Sequence, residues 1–276
     1  MVKFSGHTMG TPELDLYGAM KLFKELGFNG IEIRCAPDGH IDTSTITLEE
    51  IYKIKRWSKD LDLKIACLTP YFRDFVTSAR EKELAEMKRV IEIAHELECP
   101  NVRALGGFLP APKGCSASQI WKATVEALRE LGAFAQPLGV QLCIETHDGS
   151  LTLTAHQVRQ MVDDIDMENV GILFDFSWIH WAGEESPEEA VTLCMPKIFH
   201  CHCKDWQINR TIGERQVRLM GEGNIPWKRV FRALQEAGYA GYLSDEYEKY
   251  WHPEELPAPQ EGMKKDLEYM QRFWSL

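Results

Sequence analysis

Val170-Gly171-Ile172-Leu173-Phe174-Asp175 is a short apolar run that stops on a carboxylate, and the segments on either side repeat that design. Upstream, a helical pattern over 154–165 follows Val140-Gln141-Leu142-Cys143-Ile144-Glu145. Downstream, a short helix over 187–194 leads into Ile198-Phe199-His200-Cys201-His202-Cys203, and a helix over 227–237 leads into Tyr242-Leu243-Ser244-Asp245-Glu246. A closing helix is expected over 262–274. Towards the N-terminus the alternation continues through strands at 2–4, 30–34, 64–68 and 101–105. The helices between them are expected over 47–61, 79–96 and 118–137. The first helix is expected to start with Thr11 as N-cap and Pro12 at N1, with Leu14, Tyr17, Leu22, Phe23 and Leu26 as its apolar positions. Eight strand–helix units near 30 residues each predict an α/β fold, a parallel sheet closed into a single-domain (β/α)8 TIM barrel over residues 1–276.

Bulk properties agree with that reading. With 276 residues, 44% hydrophobic and 26% charged, the chain can bury a sizeable core. The N-terminus carries no apolar leader, and no stretch approaches the roughly 20 apolar residues of a membrane span, so a cytoplasmic protein outside the membrane is expected. A formal charge of −11, with lysines and arginines scattered, is the wrong field for a phosphate backbone, and no nucleic-acid partner is expected. The eight cysteines form no C-x-x-C pair, and several lie in apolar runs, as Cys67 and Cys143 do, which predicts buried free thiols. No glycine-rich phosphate loop is present: Gly221-Glu222-Gly223 lacks the remaining glycine.

In a parallel barrel the carboxyl ends of all strands converge on one face, where the chemistry sits. Here the fifth strand ends in Glu145, the sixth in Asp175, the seventh carries His202 and the eighth ends in Glu246, at spacings of 30, 27 and 44 residues. The last interval is stretched by an insertion from Trp206 to Pro226. Any one acid alone reads as an N-cap or a salt-bridge partner, and either His200 or His202 as a core histidine. Four such residues at one level of successive strands read as a site. Three converging carboxylates repel, and a divalent cation removes that cost while using an O,O,N,O donor set. One divalent metal ion per chain is therefore expected, as Mn2+, Mg2+, Co2+ or Zn2+.

Ile-Glu-Thr-His-Asp-Gly (144–149), Gly-Ile-Leu-Phe-Asp-Phe-Ser-Trp (171–178), His-Cys-His-Cys-Lys-Asp-Trp (200–206), Gly-Glu-Gly-Asn-Ile-Pro-Trp (221–227) and Gly-Tyr-Leu-Ser-Asp-Glu-Tyr-Glu (241–248) resemble the xylose-isomerase-like barrel superfamily. Within it the chain is most similar to the sugar phosphate isomerase/epimerase proteins, and Gly-Phe-Asn-Gly-Ile-Glu-Ile (27–33) extends the resemblance to the second strand. The resemblance implies that Glu145, Asp175, His202 and Glu246 are the metal ligands. It also implies that Glu145 and Glu246 are the catalytic pair, moving a proton through a metal-stabilised enediolate of a ketose or keto-polyol. The alternative is a metal-dependent dehydratase acting on an inosose or a cyclic keto acid. Endonucleases of the superfamily use further histidines on the third and fourth strand ends, where this chain has Thr69-Pro70-Tyr71 and Leu105-Gly106-Gly107.

Many relatives have a histidine three residues after the sixth-strand aspartate. This chain has Trp178 there and His180 two residues on, so substrate is expected either to meet His180 through a different loop path or to stack on the indole. His147 is expected to bind a substrate hydroxyl, Lys204 either to anchor substrate or to pair with Asp205 at the surface, and Glu32 and His7 to form the floor. Arg210, with Arg215 and Arg218, lies in the insertion and could close over an anionic group. Tyr71, Phe72, Phe108, Trp178, Trp181, Trp206 and Trp251 cluster near the expected rim, as sugar-stacking faces or apolar plugs. The expected partner is a small sugar or polyol-derived substrate, and a homo-oligomer is compatible with the sequence.

Overall fold

In the computed structural model, which describes residues 2–275, alternating side chains draw eight parallel strands together. They are β1 (Lys3–His7), β2 (Gly30–Arg34), β3 (Lys64–Thr69), β4 (Asn101–Leu105), β5 (Gln141–Glu145), β6 (Val170–Asp175), β7 (Ile198–Cys203) and β10 (Tyr242–Asp245). They close in the order β1-β10-β7-β6-β5-β4-β3-β2. The helices α1 (Leu16–Leu26), α2 (Leu48–Asp60), α3 (Arg80–Glu96), α4 (Ala117–Ala135), α5 (Ala155–Ile165), α6 (Phe176–Ala182), α7 (Pro187–Cys194), α8 (Trp227–Glu236) and α9 (Pro259–Trp274) follow the strands in turn. Ile31, Ile33, Val102, Leu142, Ile144, Ile172 and Phe174 join the hydrophobic core with apolar residues of the helices, such as Ile91, Leu128 and Val158.

Local sequence explains the helix starts. Thr47/Glu50, Ser116/Gln119, Thr154/Gln157 and Ser186/Glu189 form reciprocal capping boxes ahead of α2, α4, α5 and α7. The first helix departs from expectation. It begins at Leu16, capped by Asp15, whose side chain accepts from the Gly18 N–H at 2.7 Å. The segment with Thr11 and Pro12 is instead a turn, preceded by a short 3-10 helix over Thr8–Gly10. Asp15 wins because the buried stripe of Leu16, Ala19, Met20 and Phe23 starts directly behind it. All eight cysteines are free, with Cys115 half-buried and the rest buried. Among the described residues, no helix is long and apolar enough to cross a membrane.

The insertion after β7 is ordered rather than a plain loop. It forms an antiparallel hairpin of β8 (Asp205–Asn209) and β9 (Glu214–Arg218), with Trp206, Ile208 and Val217 buried and most of the other side chains exposed. Behind it, the stretch around Gly221 and Gly223 wraps a carboxylate of the protein itself. Asp205 Oδ1 accepts from the backbone N–H groups of Trp206 at 2.9 Å and Ile225 at 3.3 Å. Its Oδ2 accepts from Gly221 at 2.9 Å and Gly223 at 3.2 Å. Burial pushes the Asp205 carboxyl up to about 6, against these donors. A Cβ on Gly223 would stand 2.2 Å from Asp205 Oδ1 and 2.4 Å from the Trp206 carbonyl oxygen, so only glycine fits. Gly223→Ala is therefore expected to destabilise the protein by about 1–3 kcal/mol, read as a lower midpoint in urea unfolding. An unchanged midpoint would show that the loop does not need this close approach.

Candidate metal centre and active site

Four side chains meet at the carboxyl end of the barrel. Glu145 ends β5, Asp175 ends β6, His202 lies in β7, and Glu246 follows β10. One ligand atom from each lies within 4.8 Å of all the others, and all four residues are buried. His202 Nδ1 is 3.1 Å from Glu145 Oε1 and 3.2 Å from Glu246 Oε2. Asp175 is held by the helix that begins at it: its Oδ1 caps α6 by accepting from the Ser177 N–H at 3.0 Å. Its Oδ2 faces Lys204 Nζ at 2.8 Å, out of line for a hydrogen bond, and is a buried oxygen with no hydrogen-bond partner. Thr146 Oγ1 locks the two strand ends together, donating to the Asp175 carbonyl and accepting from its N–H, each at 2.9 Å.

Each charge in the cluster has a counter-charge, but the balance is negative. Glu145 Oε2 accepts from Arg103 Nη1 at 3.0 Å, and the same guanidinium donates to the Pro70 carbonyl. Burial opposes the Glu145 charge, yet the Arg103 guanidinium and the His202 ring hold its carboxyl down at about 2. Lys204 pairs with Asp175, Glu246 and Glu248. Burial works against the Glu246 carboxylate too, and His202 and Lys204 outweigh it, holding the group well below its usual range. Asp175 is the least compensated: burial pushes its carboxyl up to about 7 despite Lys204, with Glu246 and Glu145 repelling the charged form. An oxygen-rich, nitrogen-containing donor set with a surplus of carboxylate and one buried oxygen lacking a hydrogen bond fits a divalent cation.

Beneath the quartet, Glu32 organises the barrel interior. His202 Nε2 donates to its Oε1 at 2.9 Å and His200 Nε2 to its Oε2 at 2.8 Å, while Thr69 Oγ1 donates to Oε1 at 2.8 Å. Burial opposes the Glu32 charge, and His202, His200 and His7 reverse the effect, leaving it well below the usual range. A carboxylate accepts only, so Nε2 of His202 carries a proton, and Nδ1 is the atom turned to the quartet. Burial opposes a charge on the ring, but Glu246, Glu32 and Glu145 raise its pKa well above the usual value. His7 accepts from the Met9 N–H through Nδ1, and its Nε2 lies 3.9 Å from Glu32 Oε1.

Above the quartet is a cavity of about 410 Å³, lined in part by His147, Trp178, Lys204, Arg103, Arg215, Glu246 and Glu248. Of the residues singled out in the sequence, His147, Trp178, Lys204, Arg215, Glu246, Tyr71 and Trp251 reach this wall, while Glu32 and His7 stand below it. His180 and Arg210 do not line it. The segment after Asp175 is the helix α6 and not a loop, so His180, two residues on from Trp178, turns away and stacks on Phe176 at 6.0 Å. Arg210 spends its guanidinium on the carbonyls of Trp181 and His180. Lys204 neither reaches the surface nor pairs with Asp205; it is a buried counter-ion to three carboxylates. Arg103 and Glu248 were missed, although an arginine at an alternate position of β4 and a glutamate two residues past Glu246 carry the signal.

The parallel barrel with a carboxylate-and-histidine cluster at its carboxyl end defines a class, and residues 20–273 match the family model described as xylose isomerase-like TIM barrel. The chain belongs to that family. It is similar to an inosose dehydratase of Clostridium perfringens, 27% identical over 142 residues, covering 47% of this chain and 48% of the relative. The matched chain thus spans about half the length of that relative. Among solved structures, D-psicose 3-epimerase in the presence of D-fructose superposes with a TM-score of 0.82 at 18% identity, covering 100% of both chains. An IolI protein with a bound zinc atom superposes with a TM-score of 0.81 at 21% identity, covering 99% of this chain and 98% of the other.

Glu32→Gln keeps the shape of the side chain and removes the charge that orients His202. Affinity for Mn2+ or Zn2+, measured by competition with a chelator, is expected to fall about 10–100-fold with circular dichroism unchanged. An unaltered affinity would show that the histidine needs no such support.

Proposed function

We propose that this chain is a divalent-metal-dependent enzyme that isomerises or epimerises a ketose or keto-polyol, with Glu145, Asp175, His202 and Glu246 as ligands and Glu145 and Glu246 as the acid–base pair. The observation that carries the reading is the flanking of one point by two glutamates. Glu145 and Glu246 come from strands three places apart in the barrel, yet both stand within 3.2 Å of the same nitrogen of His202. A cation held there supplies polarisation of the substrate carbonyl and takes up the charge left when the neighbouring carbon loses a proton.

The protein's own groups do the rest. One glutamate accepts the proton and the other returns it, to the opposite face or to the adjacent carbon. Arg103 keeps Glu145 ionised, and His202 with Lys204 keeps Glu246 ionised, so either can act as a base at neutral pH. His147 and Trp178, whose rings lie 4.9 Å apart on the cavity wall, offer a hydrogen-bonding edge and a stacking face to a polyhydroxy substrate. Glu32 fixes the ring of His202 from below, and His7 packs edge-on to that ring at 5.8 Å.

A second reading, dehydration of an inosose or cyclic keto acid, is favoured by the similarity to inosose dehydratases. It begins with the same proton abstraction and differs in the loss of a hydroxyl from the next carbon. Incubation with a panel of ketoses, inososes and keto acids in deuterated water separates the two. Solvent deuterium beside the carbonyl, with mass otherwise conserved, is the expected outcome; a product lighter by one water makes the chain a dehydratase. Glu246→Gln is expected to lower turnover by about 10²–10⁴-fold while the protein stays folded. Full activity in that variant would remove Glu246 from the reaction.

A further inference from the structure

Two cations at the cavity mouth, Arg73 and Arg215, have no ion-pair partner among the described residues. Lys204 gives its charge to Asp175, Glu246 and Glu248, and Arg103 gives its charge to Glu145. Arg215, on β9, is different. Its guanidinium carbon lies 4.4 Å from the ring centre of Trp178, 5.0 Å from that of Trp181 and 5.0 Å from that of Trp206. Among the described residues it has no hydrogen-bond or ion-pair partner, although it lines the cavity directly above the quartet. Trp178, in the same nest, also leaves its buried Nε1–H without an acceptor.

Two of these indoles come from α6 and the third from β8, so the nest exists because the hairpin folds back over the barrel mouth. Indole faces engage the flat side of a guanidinium and leave its N–H edge free. That edge matches a carboxylate through two parallel hydrogen bonds. Arg73 also lines the cavity without a charge partner, but it follows β3, which stands across the closed barrel from β7.

We propose that the substrate carries a carboxylate and that Arg215, held in its tryptophan nest, binds it. The ketose or keto-polyol of the proposed function then carries an acid group, as the keto acids derived from sugars and polyols do. This rests on the reading of the cavity as a metal-assisted proton-transfer site, which fixes where the rest of the substrate lies.

The test needs binding and no turnover. Quenching of tryptophan fluorescence follows titration with D-gluconate and with D-glucitol, a matched pair differing at the terminal carbon, with and without Mn2+. Gluconate is expected to bind at least about tenfold more tightly, the scale of one charge-assisted hydrogen bond. In Arg215→Gln that preference is expected to vanish with the affinity for glucitol unchanged, and Arg215→Lys should restore part of it. Equal affinities in the wild type, or no saturable binding of gluconate, would overturn the proposal. So would a preference that survives Arg215→Gln, since the carboxylate would then sit on the cation. Tighter binding of glucitol 6-phosphate than of gluconate, dependent on Arg215, would replace the carboxylate with a phosphate. If the deuterium-exchange panel showed no reaction, these affinities would still be readable, so the two failures are distinct.

Discussion

Glu32, Glu145, Asp175 and Glu246 are removed from water at one end of the barrel, and Arg103 and Lys204 are the permanent cations set against them. A buried carboxylate is tolerated only when it is paired and hydrogen-bonded, because desolvation of an isolated charge costs far more than one contact returns. Three of the four meet that condition. Glu32 has two imidazoles and a hydroxyl, Glu145 has Arg103 and His202, and Glu246 has His202 and Lys204. Asp175 spends one oxygen on capping α6 and leaves the other opposite a lysine that is shared with Glu246 and Glu248. The shortfall lies where the ligand atoms converge, which is why a divalent ion suits this point and not another in the barrel.

The interior is layered around that shortfall. Barrel interiors are usually filled by branched apolar side chains. Here Ser5, His7, Glu32, Asn101, His200 and Ser244 are buried polar residues on the strands, and the apolar positions face the helices. The polar layer fixes the orientation of His202, since Glu32 reaches it from β2 across the barrel. The layer above is built differently. The hairpin after β7 brings Trp206 and Arg215 over the mouth, and its base is anchored by Asp205 and by Trp227, whose Nε1 donates to the Lys204 carbonyl at 3.0 Å.

Much of this was legible in the sequence, for a definite reason. Strands β2, β4, β6 and β7 have the bounds that their apolar runs suggest, since buried parallel strands are short, uninterrupted and stopped by polar residues. The convergence of Glu145, Asp175, His202 and Glu246 follows from strand ends alone once the barrel closes. What was not legible depends on direction. Whether Arg210 or Arg215 faces the cavity is decided by the hairpin, whose apolar alternation rests on as few residues as Trp206, Ile208 and Val217. His180 looked available because the residues after Asp175 carry no separate helix signal; the cap is Asp175 itself, already assigned to the site. Lys204 read either as a substrate anchor or as a surface residue paired with Asp205, because its three carboxylate partners come from distant strand ends and from the residue two past Glu246.

Trp178 sets the character of the cavity wall beside the carboxylate–histidine quartet. Two solved structures superpose with TM-scores of 0.82 and 0.81 at 18% and 21% identity, so the same barrel is built from largely different side chains. An imidazole at this position could exchange protons or hydrogen bonds with a substrate hydroxyl. The indole has one N–H donor and no acceptor, so it offers a flat apolar face instead. That face lies against His147 on one side, and Trp206 meets it edge-on at 4.7 Å. It is also the closest of the three rings to the Arg215 guanidinium. The indole at this position therefore does two things: it puts an apolar face on the wall and gives a hairpin arginine a surface to rest on. The centre below does not depend on the indole, because Asp175 is held by the N-terminus of α6 through the Ser177 N–H.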